Sequence, residues 1–208
     1  MAKFKTEDLI NELKGDVHKI IASAEQMKTA DKAKLIYQLD KKTWSVVQVM
    51  EHLNAYNRFH LPQIEKALSV RNDTRNAWFN SGFWGEYFTK LMKPTNVFEV
   101  KNKMKAMKDY TFPNSLNVNN VLDEFFQHQQ RLLQLLDASK DRDLNAIKVP
   151  ISLSKFIRLK LGDALRFIVA HEQRHMVQAR NTMRKVGIST GQFPVIMDSP
   201  RRPQMAHV

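Results

Sequence analysis

Residues 171–175 read His-Glu-Gln-Arg-His, two histidines four positions apart inside a stretch of helical periodicity. On an α-helix a residue and its i+4 neighbour lie on one face, a turn apart. Two imidazoles placed in this way can hold one divalent ion, and neutral imidazole suits zinc, nickel, copper or iron. The pentapeptide also matches the His-Glu-x-x-His of zinc peptidases. Many helices contain that pattern by chance, and the plainer reading is two partly exposed histidines on a charged helix.

His52 shifts the balance. It lies in a separate helical stretch that opens at Trp44-Ser45, on the apolar side with Val49, Ala55 and Tyr56. A lone histidine there is more often a satisfied core residue than a ligand. Yet His52, His171 and His175 each interrupt a core stripe, on helices that could face each other. Three imidazoles from two bundle helices would leave coordination positions for water and substrate.

The other chemistry-bearing residues carry weaker signals. His128 borders a third apolar face, between Phe125 and Leu132, and could be a fourth ligand or an acid–base group. His60 falls two turns past His52, about 12 Å along the axis, out of reach of the same ion in an unbroken helix. His18 and His207 show no spacing signal. Tyr56 and Gln178 lie about one turn from His52 and His175 and could line a pocket, although core packing is the plainer role for Tyr56. Arg174 could meet a substrate carboxylate; a solvated or interface arginine is its plainer reading. Glu51 and Glu172 sit ~100° round the helix from adjacent histidines, which makes them supporting or surface positions. Asp163 reads as the acid of a helix's first turn.

Four helical stretches must position these residues. Leu9, Leu13, Val17, Ile20 and Ala24 mark the first, from about Thr6, a plausible N-cap, to Met27. The second starts at Thr43 or Ser45 and runs to about Ser69, with Pro62 expected to kink it or end it early. The third spans about Val118 to Ala138, with Asn117 or Asn114 as cap, and the fourth about Leu161 to Lys185, stopped by Gly187. The connection 71–117 is too long for a bare loop. Its aromatic cluster, from Trp78 to Phe88, is expected to pack over the bundle, around a short helix at Gly85–Met92. The connection 139–160 is also long. The expected fold is therefore all-α, a four-helix bundle over 1–188 with a long crossover between helices two and three. An extended tail is expected over 189–208.

Composition bounds the partners. The 208 residues carry a net charge of +12, which raises nucleic acid or an anionic substrate. The basic residues are spread along the chain, however, and the densest cluster, Lys101–Lys108, has no nucleic-acid motif beside it. It reads as solvated surface. No cysteine is present, so there is no disulfide and no thiolate ligand. No apolar run reaches the ~18 residues of a membrane span, and no signal peptide is read at the N-terminus. A cytoplasmic protein without membrane contact is expected.

The stretch Trp44–Leu53, with its Trp-Ser start and its histidine, resembles the second helix of DinB-like proteins. Leu161-Gly162-Asp163-Ala164-Leu165, followed by His171, Arg174, His175 and Gln178, is similar to that family's fourth helix. The resemblance implies an up-down-down-up four-helix bundle, often a homodimer, with a metal held by three histidines, here His52, His171 and His175. Relatives include thiol S-transferases that use bacillithiol and mycothiol-dependent isomerases. On that footing the expected activity is metal-dependent. Zinc, nickel or iron would activate a low-molecular-weight thiol, or water, for S-transfer to an electrophile or for hydrolysis of a small molecule. The rival readings are a non-catalytic metal-binding stress-response or interaction module and a basic nucleic-acid-binding protein, the latter disfavoured.

Overall fold

A computed structural model describes residues 2–70, 74–94, 96, 112–113, 115–152, 154–191 and 193–194. The chain is mostly helical. Four long helices dominate: α1 (Thr6–Lys28), α3 (Val46–Val70), α5 (Val118–Ser139) and α6 (Leu161–Lys185). Two short ones, α2 (Lys32–Ile36) and α4 (Phe83–Met92), lie in the connections. α1 and α3 each pack against both α5 and α6, so one core fills the space between the four. Its fully buried side chains include Ile10, Ile20, Met50, Leu53, Phe125, Leu132 and Phe167. The basic cluster 101–108, Asn114 and the tail beyond 194 lie outside the described residues. Of the tail's start, Phe193 is buried in the core.

Two small antiparallel sheets accompany the helices. β1 (Lys3–Lys5) pairs with β2 (Trp78–Asn80), Phe4 opposite Phe79. β3 (Lys148–Ile151) pairs with β4 (Ser154–Lys160), with a register shift between Pro150 and Ile151. β3 hides Val149 and Ile151 and exposes Lys148, the period-2 alternation of a half-buried strand. The strands tie the long connections down, and the segment just before β3 caps a helix. α6 has no side-chain N-cap; Leu161 N–H instead donates to Ile147 O (2.9 Å) and Gly162 N–H to Leu144 O (3.3 Å). Two of the N–H groups left open at a helix start are thereby satisfied.

Other local expectations also shift. Thr6 is the first residue of α1 rather than its cap, and its hydroxyl donates to Asn76 O at 2.6 Å. Pro62 does not end α3, which continues to Val70. An internal proline costs about 3 kcal/mol, and burial of Leu61, Ile64 and Leu68 on the core side offsets it. Asp163 is in the first turn of α6, as expected, and does more than face the helix start. It is 1% exposed and accepts from Ser81 Oγ (2.5 Å) and Gly82 N–H (2.8 Å), with Arg166 beside it (3.4 Å). It thus pins the start of α4 onto α6. The contact is so close that a Cβ on Gly85 would stand 2.0 Å from Asp163 Cγ. Of the aromatic cluster, Phe79 is buried and Phe88 packs on the core, but Phe83, Trp84 and Tyr87 are exposed.

Candidate metal centre

Two helix starts aim the histidines. At the head of α3, Ser45 and Gln48 form a reciprocal cap: Gln48 N–H donates to Ser45 Oγ (3.3 Å) and Ser45 N–H to Gln48 Oε1 (2.9 Å). This fixes the first turn of α3 and hence the direction of His52. α6 is held at its start by the segment just before β3 and by Asp163, which sets the rotation of His171 and His175.

The three rings converge. One ligand atom from each of His52, His171 and His175 lies within 4.8 Å of the other two. Ring centroids are 4.5 Å apart for His52–His175 and for His171–His175, and 5.4 Å for His52–His171. His52 and His171 are buried, and His175 stands at the partly exposed edge. Aromatic rings wall the group. Trp44 is 4.9 Å from His52, Tyr56 is 4.3 Å from His171, and Phe167 stacks on His171 at 6.2 Å.

Electrostatics favour donation of lone pairs. Burial pushes the His171 and His175 imidazoles well below their ordinary range, and the charge a neighbouring histidine would carry pushes further. Both rings are therefore neutral near neutral pH, the form that binds metals. Gln178 Oε1 lies 2.9 Å from His175 Nδ1. An amide oxygen only accepts, so Nδ1 carries the hydrogen and Nε2 keeps the lone pair. Three imidazole nitrogen donors without a carboxylate fit a borderline divalent ion such as zinc, nickel or iron.

The remaining expected residues fall in different places. Tyr56 and Gln178 touch the histidine rings. Arg174 is 5% exposed, next to the ligands in sequence, so it is not a solvated surface group. His128 is outside the cluster; its Nδ1 lies 3.4 Å from Asn54 Oδ1 and its Nε2 3.7 Å from Glu124. His60 is also apart. It donates from Nδ1 to Tyr56 O (2.9 Å), and its Nε2 faces Ser152 N–H (3.4 Å).

A second polar group lies between the same helices. Glu172, 1% exposed, accepts at Oε1 from Asn57 Nδ2 and from Gln129 Nε2, each at 2.9 Å. Its Oε2 and Gln129 Oε1 have no partner among the described residues. Burial raises the Glu172 carboxyl to about 7, against the pull of the two amide donors. Its rotation away from His171 is as expected, but it turns toward α5 and not toward solvent. Glu51 is likewise buried, paired with Arg58 at 2.8 Å, and Arg58 forks onto Glu124. Asn57 and Gln129 are residues that the periodicity did not single out. Their signal was a polar amide on an otherwise apolar face.

No significant match to the chain was found among curated proteins or among solved structures. A family model, by contrast, matches residues 16–179, a span that takes in α3, α5, the second half of α1, most of α6 and the three converging histidines. The chain belongs to the DinB superfamily.

Proposed function

We infer that this protein is a metal-dependent enzyme in which His52, His171 and His175 hold a divalent ion for chemistry on a small molecule. The observation that carries this reading is the convergence of three imidazoles from two helices, with no fourth side-chain ligand among the described residues. A divalent metal held there supplies Lewis acidity, which lowers the pKa of a thiol or water. Gln178 fixes the tautomer of His175. Trp44, Tyr56 and Phe167 keep bulk water from the rings and shape the approach. Those aromatic walls favour a low-molecular-weight thiol over water as nucleophile, and S-transfer over hydrolysis. Access is from the His175 edge, where Arg174 and Gln178 are the polar side chains nearest in sequence to meet a substrate's charged end.

The reading takes the four long helices as an up-down-down-up bundle over 1–188 with a C-terminal tail, working as a cytoplasmic homodimer. Its support is family membership and the absence of cysteine. None of the described helices is long and apolar enough to cross a membrane. The experiment is a turnover assay of metal-loaded and chelator-treated protein with several thiols and a generic alkylating electrophile, beside an ester for hydrolysis. Thiol consumption that needs both the metal and His171 is the expected result. Metal binding without turnover of any substrate would instead favour a non-catalytic metal-binding module.

A further inference from the structure

The face of α6 opposite the histidines carries a second concave site. α6 packs against both α1 and α4. Val169, Ala170 and Gln173 contribute to a cavity of about 320 Å³ that α1 and α4 also line. At ~100° per residue these positions lie well round the helix from His171, so the cavity and the histidine cluster use different faces.

The two walls differ in charge. The α1 wall presents Leu9 and Leu13 with Glu12 and Asp16, two i,i+4 pairs on one side of the helix. It contributes carboxylates only. The α4 side contributes Thr89, Lys90 and, just past the helix end, Lys93. Its one acid, Glu86, is committed to Arg166 (3.1 Å) and Lys90 (3.2 Å). Glu12 and Lys93, by contrast, make no ion pair among the described residues. On the α4 side, Thr89 is 6% exposed and its hydroxyl has no hydrogen-bond partner among the described residues. A buried hydroxyl left unpaired is costly, and one lining a cavity can be satisfied by a ligand.

We propose that this cavity binds a small zwitterion of peptide type, its ammonium at Glu12 and its carboxylate at Lys93; Asp16 and Lys90 beside them are paired to Lys19 (3.5 Å) and Glu86 (3.2 Å). A lone anion or cation would meet one wall of its own sign. An apolar ligand would leave the Thr89 hydroxyl unpaired. The volume is at the small end of ligand pockets, which fits a dipeptide. The site is independent of the metal.

The test is calorimetric titration of chelator-treated, full-length protein with leucylglycine, N-acetylleucylglycine and leucylglycinamide. Leucylglycine is expected to bind, and each capped form to bind about tenfold more weakly or worse. Glu12→Gln should weaken leucylglycine and leave the acetylated peptide unchanged. Lys93→Gln should weaken leucylglycine and leave the amide unchanged. Both side chains are exposed, so neither substitution threatens the fold, which circular dichroism checks. His171→Ala should bind as the parent does. No binding of leucylglycine, equal affinity for all three peptides, or loss of binding in His171→Ala would each overturn the proposal.

Discussion

Two polar groups are buried between α3 and α6, and they differ in what burial does to them. Around His171 the desolvated side chains are bases, so burial removes their protons and leaves lone pairs pointing at one another. Around Glu172, the next residue along, the desolvated side chain is an acid, so burial favours keeping its proton while two amides bind one oxygen. The first group offers lone pairs to a cation; the second is a hydrogen-bonded tie. Asn57 and Glu172 come from the same two helices as His52 and His171. The tie therefore fixes the spacing and rotation at which the histidines meet. Function and architecture sit on adjacent residues, separated by the rotation of one helical step.

Substitutions separate the two roles. The largest effect expected is that of His171→Ala on metal binding. Loss of one of three ligands should lower affinity by orders of magnitude, measured by competition with a chromophoric chelator. Folding of the metal-free protein should change far less. Glu172→Leu should do the opposite. It strands two buried amide donors and should cost about 2–5 kcal/mol in urea unfolding. Glu172→Gln keeps an acceptor oxygen and should cost about 1 kcal/mol. Equal costs for the two variants would break the distinction.

A pH series on metal-free protein sharpens it. The His60 imidazole, buried and bonded to Tyr56 O, is pushed down to about 4. Its ordinary value is near 6.5, so the unfolded chain takes up the proton first. Stability from His60 is full above pH 6.5 and lost as pH falls through 4, about 3 kcal/mol in all. His171 and His175 act in the same direction. Glu172, raised to about 7, acts the other way; its contribution is full below pH 4.5 and lost as pH rises through 7. The stability of the parent relative to Glu172→Gln should therefore fall by about 3 kcal/mol between pH 4.5 and 8. A constant difference would show that the buried carboxyl is not held in its neutral form. Gln178→Leu frees the His175 ring and should weaken metal binding about 10–100-fold. An unchanged affinity would remove Gln178 from the site.

Much of this was legible in the residues. The apolar stripes place the four long helices within a residue or two of their ends, because caps and periodicity are local signals. Asn117 does cap α5, accepting from Asn120 N–H at 3.2 Å. Spacing also brings out His171 and His175, and the Trp-Ser start of its helix brings out His52. The strands were not legible. β1 has three residues, and β3 carries Pro150, so neither offers a run long enough for alternation to register. Nor was the burial of Glu172. Rotation alone shows that it points away from the histidine direction, but a third helix, α5, decides whether that direction is solvent or core. Pro62 misleads for a related reason: its local cost is outweighed by tertiary packing that no short window contains.

Histidines from two helices, more than a hundred residues apart in sequence, are placed to share one ion. X-ray absorption on zinc-loaded protein, parent beside His52→Ala, reads that sharing. Three imidazole scatterers are expected in the parent and two in the variant, with weaker zinc binding. An imidazole count that does not change in His52→Ala would contradict it.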